Sequence, residues 1–473
     1  MRTSGDRSLK PVLRAASGLA LIVTVAGCPG LDPRLVETPA QDPGAGAGHD
    51  GGNPADAGSG NGDGGAGADS AYNGPYYGGL HSHTSYADPD YAGTPLDAFE
   101  TARSYVLPGT DVDINRGTDW WAVTDYYWSL SLLNPEYWTM TFEQAAQVRA
   151  EGFPAIVGWE WSNTKLGGPS QRDHIGCFPL NQIDPPLPPS EKVSTLSGLF
   201  STAGLRKNPH LCSFNHPEMR SDAEPLPAFD GFRYDAAADE FMSLIDIRGN
   251  NGGFRGYFQA LNMGWHVSPT KDEDNKDWSW GLKMGAHGQQ RRVGVFARER
   301  SVDAIIGGLK DGATFATSDK SISVWMTAEG RFMGSVFKGA RTLELSLHAR
   351  DADEREEVTL PYYPIVCDNK GCSPPAPEDS VDPEPDSPFF VEAYLYTNGG
   401  SRLDGGTLPL TAGKVLKKWT GLHSREFDEA VVVTPTEDGS NAENATSSVW
   451  YVLRLVQSDG DEAITAPIFV HFD

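Results

Sequence analysis

Between Asn73 and about Asp319, short apolar runs closed by a polar tip alternate with stretches of helical spacing. The apolar runs include Trp120-Trp121-Ala122-Val123-Thr124-Asp125, Pro154 to Glu160, Leu211 to His216 and Phe241 to Arg248. Between them, Pro95 to Ser104, Thr141 to Ala150, Thr195 to Leu205, Gly256 to Met263 and Val302 to Leu309 carry the helical pattern. Buried strands alternating with helices predict a parallel α/β sheet or barrel, with functional groups gathered at the C-terminal strand ends. His81, Asp125, Glu160 and His216 fall at or near such ends, and Asp274 lies in a loop beyond one. From Ser321 the pattern changes. Ser321 to Met326, Thr342 to His348, Phe389 to Tyr396, Val449 to Leu455 and Ala466 to Phe472 read as strands with no helix between them. That predicts a β-sandwich over residues 321–473, packed against the barrel of residues 73–320.

The ends of the chain change the picture. Arg2, Arg7, Lys10 and Arg14 precede an apolar run from Ala15 to Ala26, too short for a comfortable membrane span. The run closes in Val25-Ala26-Gly27-Cys28, which resembles a bacterial lipobox. The resemblance implies a signal peptide over residues 1–27 and a lipidated Cys28 holding the protein to a membrane of the cell envelope. Pro29 in place of an aspartate favours the outer membrane. Residues 28–72, mostly Gly, Ala, Asp and Pro, cannot bury enough apolar surface to order themselves, and read as a tether. Among 473 residues the formal net charge is -26, which argues against a nucleic-acid partner, since phosphates need a basic face. Export permits disulfides: Cys367 and Cys372 flank a turn-like insert, whereas Cys177 and Cys212 read as buried thiols.

Candidate chemistry starts at His81-Ser82-His83. On a strand, residues two apart share a face, so two imidazoles point together as a metal site requires. Further polar tips follow in order: Asp88, Thr124-Asp125-Tyr126, Gly158-Trp159-Glu160, Asp173-His174, His216-Pro217 and Asp274-Asn275-Lys276. This series, over about residues 76 to 320, resembles the PHP family of metal-dependent hydrolases. The wording around Gly158 to Ser162, Phe214 to Pro217 and Ile247 to Asn250 is similar to its carbaryl-hydrolase-like CehA/McbA branch. The resemblance implies a distorted (β/α)7 barrel and a metal-bridged hydroxide acting on a small-molecule ester of phosphate, carbamate or carboxylate. It assigns His81, His83, Glu160 and Asp274 to a first ion, and a bridging Glu160 with His174 and His216 to a second. Imidazoles and carboxylates suit Zn, Mn or Fe.

The third ion of the family would draw on the positions of Asp88, Tyr126 and Lys276. Tyr is a poor ligand and a protonated Lys is none. The expectation is therefore two divalent ions, with the Lys276 ammonium neutralising Asp88 in place of a third. Lys276 and Tyr126 are then catalytic candidates, and Asp125 a group that orients them or the ligands. Asp272 is the alternative ligand if the register slips. Arg248 and the Arg291-Arg292 pair are candidates for an anionic substrate group, and His287 for the mouth of the site. His210 and His266 read as structural. A competing reading is a non-catalytic surface-anchored binding protein that keeps a metal-binding barrel. Oligomeric state stays open.

Overall fold

The computed structural model describes residues 72–472, apart from 105–117, 163–172, 183–192, 203–208, 218–225, 248–253, 282–290, 320, 340, 353–365, 369–370, 374–387, 399–410 and 436–447. The signal peptide, Cys28, the tether, Arg248 and His287 lie outside the described residues. Among the described residues no helix is long and apolar enough to cross a membrane.

The first part of the described chain carries ten strands. They are β1 (Pro75–Gly79), β2 (Trp120–Val123), β3 (Ala155–Val157), β4 (Trp159–Ser162), β5 (His174–Pro179), β6 (His210–Asn215), β7 (Met242–Asp246), β8 (Ser268–Thr270), β9 (Arg292–Phe296) and β10 (Thr314–Thr317). Helices Pro95–Arg103, Glu136–Ala150, Arg255–Asn262 and Val302–Lys310 stand where the periodicity predicts them. The first begins with a reciprocal cap, in which Thr94 and Asp97 each bond the other's backbone, and with Pro95, whose missing N–H costs nothing at that place. Among the described residues, the pattern at Thr195 yields helix Leu196–Phe200.

The fold is mixed α/β with several sheets, and its strands are not all parallel. β1, β2 and β3 run parallel, as do β6, β7 and β8, but β9 is antiparallel to β1, and β5 is antiparallel to both β4 and β6. The apolar run Pro154 to Glu160, expected as one strand, is two. β3 pairs with β2 in one sheet, and after Gly158 the chain crosses to pair with β5 in another. A side chain at Gly158 would stand 2.5 Å from the Phe178 ring and 2.8 Å from the Cys177 carbonyl, so the crossing requires glycine. Phe178 and Phe214, almost wholly buried, contribute about 1.5–3 kcal/mol each relative to exposure.

Twelve strands follow: β11 (Ile322–Ala328), β12 (Arg331–Phe332), β13 (Val336–Lys338), β14 (Leu343–Asp351), β15 (Val366–Asp368), β16 (Gly371–Ser373), β17 (Phe390–Thr397), β18 (Lys414–Ser424), β19 (Glu426–Val433), β20 (Ser448–Gln457), β21 (Glu462–Thr465) and β22 (Ile468–His471). β12, β11, β14 and β19 make one sheet. The alternating burial of β14 packs Leu343, Leu345 and Leu347 against Leu453 and Leu455 of β20 in one apolar core. β20 and β21 join the sheet of the first part: β21 pairs antiparallel with β10, which pairs with β9, and β9 with β1. Apolar packing is equally continuous, with Trp450 and Ile464 in the same cluster as Trp121 and Trp265.

Cys177 and Cys212 form a disulfide, where two free thiols were expected. They are direct partners in the antiparallel β5/β6 register. Cys367 and Cys372 stand opposite each other across the β15/β16 hairpin.

Candidate metal centre

The His81-Ser82-His83 segment lies just beyond β1 rather than on it, and adjoining chain segments hold it. The Ser82 hydroxyl donates to Ala122 O at 2.7 Å, and the Ser82 carbonyl accepts from Thr124 N at 2.8 Å. His83 N donates to Asn275 O at 2.8 Å, and Asp274 N donates to His81 O at 3.1 Å. With Ser82 committed to β2, the two imidazoles on either side of it project together, and their Nε2 atoms come within 3.2 Å.

Glu160, the second residue of β4, is the hub. Its Oε1 lies 2.9 Å from His81 Nε2, 3.2 Å from His174 Nδ1 and 3.7 Å from His216 Nε2, and its Oε2 lies 3.3 Å from His83 Nε2. Asp274 Oδ1 completes the group at 3.5 Å from His81 Nε2 and 3.3 Å from His83 Nε2. All six candidate ligands therefore meet. His174 opens β5 opposite Asn215 at the end of β6, and His216 follows directly. His216 and Asp274 both take the left-handed backbone, with φ of 36° and 47°, uncommon for residues with side chains and frequent where function constrains the chain.

The electrostatics are those of a site built around charge. Glu160 is fully buried, which would raise its pKa, yet the imidazoles of His81 and His174 outweigh burial and hold it well below the usual carboxylate range. Burial would push His83 down, but hydrogen bonds to Asp274 and Glu160 hold it up at about 9. Four imidazoles and two carboxylates, with Glu160 Oε2 and His174 Nε2 buried without a hydrogen-bond partner, form a donor set that fits divalent cations.

The neighbours correct some expectations. Lys276 Nζ pairs with Asp274 Oδ1 at 2.9 Å, not with Asp88, because both residues belong to the same short loop. Tyr126 packs its ring 4.6 Å from that of His83 and meets the Tyr91 hydroxyl at 3.2 Å, and burial raises its pKa. Asp125 accepts from Thr84 N and Thr84 Oγ1, both at 2.6 Å, so it fixes the backbone after His83. Burial raises its pKa to about 6. Asp272, the alternative ligand, accepts from Leu80 N at 2.6 Å, and Asp274 takes the position at the cluster. Arg292 is no substrate group: it is buried and paired with Glu273 at 2.9 Å. Asp88 accepts from Asp90 N. His210 packs against Trp159.

Two neighbours take a role that the sequence did not assign them. Asn215 Nδ2 donates to Glu160 Oε1 at 2.8 Å, and Trp280 Nε1 donates to the His83 carbonyl at 3.1 Å. The signal for Asn215 was its place beside His216 at a strand tip.

No protein-family model matches the chain, and no curated protein matches it. Among solved structures, a two-domain protein from Bacteroides vulgatus, named for a predicted PHP-like metal-dependent phosphoesterase, is similar at 12% identity and a TM-score of 0.35, over 85% of this chain and 96% of that one. A protein from Bifidobacterium adolescentis, named by prediction as a metal-dependent phosphoesterase, is similar at 14% identity and a TM-score of 0.27, over 44% of this chain and 90% of that one. Both scores lie below the level that establishes a shared fold.

Proposed function

We propose that the chain is a metal-dependent hydrolase of the PHP type, acting on an ester of phosphorus or carbon. The observation that carries this reading is the meeting of His81, His83, Glu160, His174, His216 and Asp274, contributed by segments far apart in the chain, around one buried carboxylate. His81, His83, Glu160 and Asp274 would hold one divalent ion, and Glu160, His174 and His216 a second, as Zn, Mn or Fe. Such ions supply Lewis acidity and lower the pKa of a water.

The chain's own groups do the rest. Asn215 holds Glu160 in one orientation, and Asp125, through Thr84, holds the loop that follows the histidine pair. Lys276, about a third exposed, presents an ammonium at the rim of the cluster, where it binds an anionic substrate oxygen. Tyr126 keeps its proton at neutral pH, so its hydroxyl is a hydrogen-bond donor beside the same rim. A small-molecule ester with an anionic or polarised oxygen fits these groups. The CehA/McbA branch, a (β/α)7 barrel over residues 73–320, a β-sandwich over 321–473 and a lipid anchor at Cys28 in the cell envelope complete the proposal.

The purified protein should turn over p-nitrophenyl phosphate, a phosphodiester or a carboxyl ester, and EDTA should abolish that turnover. Absence of EDTA-sensitive turnover on all three would favour the binding-protein reading. For the anchor, Cys28→Ser should move the protein from the membrane to the soluble fraction.

A further inference from the structure

Away from this centre, a second pair of imidazoles faces each other. His266 lies between helix Arg255–Asn262 and β8, and His471 ends β22. Their Nε2 atoms are 2.9 Å apart, with ring centroids at 5.0 Å and planes inclined by 34°. Asp239 grips His266 twice: Oδ1 accepts from His266 N at 3.0 Å, and Oδ2 lies 2.6 Å from His266 Nδ1. Tyr234 donates its hydroxyl to the same Oδ2 at 3.2 Å. The Phe469 ring packs against His266 at 4.7 Å.

This arrangement has a chemical consequence. A carboxylate on Nδ1 makes that nitrogen the donor and leaves the Nε2 lone pair free to point at His471. A histidine oriented through Nδ1 by a carboxylate is the arrangement that metal-ligating histidines adopt. Two imidazole nitrogens on one tetrahedral ion, each about 2.05 Å from it, stand about 3.3 Å apart. The His81 and His83 Nε2 atoms are 3.2 Å apart, and the His266 and His471 pair is a few tenths closer. The His266 side chain is 24% exposed, which leaves water access to complete a coordination shell.

We propose that His266 and His471, with Asp239 as the orienting carboxylate, form a separate site for one borderline divalent cation such as Zn2+ or Cu2+. Water supplies the remaining ligands. The ion clips the last strand of the fold to the segment that enters β8 and leads on to Asp274. Nothing in the hydrolase reading requires this site, and it stands or falls independently of that reading.

The test is a zinc count on the full-length protein, stripped with chelator and dialysed to equilibrium against micromolar Zn2+. His471→Gln keeps a side chain able to hydrogen-bond His266 Nε2 but removes the ligand nitrogen. It should bind one zinc equivalent fewer than the wild type, with circular dichroism and the remaining zinc unchanged. Asp239→Asn should weaken the same equivalent by about 10–100-fold. Zn2+ should raise the unfolding temperature of the wild type by more than that of His471→Gln. Equal zinc content in the wild type and His471→Gln would overturn the proposal and leave the pair as a hydrogen bond. If His471→Gln does not fold, His266→Gln is counted in its place, by the same criterion.

Discussion

Glu160 lies within 3.7 Å of four imidazoles, and no other described side chain touches as many candidate ligands. Replacing it with Gln keeps the shape and removes the charge. Glu160→Gln should therefore lose the metal of both subsites together, read by elemental analysis, whereas His174→Ala should lose mainly the second. Asn215→Ala should act more gently. It leaves every ligand in place but frees the carboxylate, so metal affinity should fall by about 10–100-fold with the fold intact. Lys276 is the residue whose role the geometry changes most. Its ammonium rests on an oxygen that also faces His81 and His83, so Lys276→Met should raise the affinity of the first subsite while weakening any anionic substrate. A rise in KM with unchanged metal content would show the substrate role alone.

Among the elements, the antiparallel β5/β6 pair brings two ligands together, and the Cys177–Cys212 disulfide ties the same strands three residues from His174 and from Asn215. Replacing both cysteines with Ala should cost about 2–4 kcal/mol of stability, read by denaturant unfolding. A second element-scale prediction concerns the β20–β21 turn. Asp461 is half-buried near Asp459 and Asp319, with its Oδ1 covered, and burial followed by those charges raises its pKa to about 8. A carboxyl group raised from the usual 3.8 stabilises the fold fully below that value, and its contribution is lost as pH climbs to about 8. Asp461→Asn should thus unfold at a higher temperature than the wild type at pH 8, and the difference should vanish near pH 4. The four longer helices and strands such as β2, β6, β14 and β20 were legible because their periodicity is strong, whereas β9, β10, β18 and β19 were not anticipated. β5 was not, because His174 and Gly176 interrupt its apolar run, and without β5 neither the antiparallel turn of the sheet nor the disulfide register can be derived. The six candidate ligands, which the resemblance implied, do meet in the structure, and their order of polar tips along the chain could be read without knowing the strand register. Their neighbours were not legible: Lys276 chose Asp274 over Asp88 through a loop geometry that no spacing encodes.

On the scale of the whole molecule, β10 is hydrogen-bonded on one side to β9 and on the other to β21, which lies nearly 150 residues further along the chain. A protein ended at residue 320 would keep the six ligands yet strip β10 of its second partner and uncover the apolar faces that meet Trp450 and Ile464. An unpaired, apolar strand edge invites a second chain to pair with it. The truncated form should therefore aggregate rather than yield a smaller working unit, read by light scattering at micromolar concentration. The same seam also sets the order of events during folding. The sheet that supports the histidine pair stays open at β10 until β21, nearly 150 residues later, pairs with it, so the chain carries an apolar edge into the last stage of folding and depends on late closure to cover it.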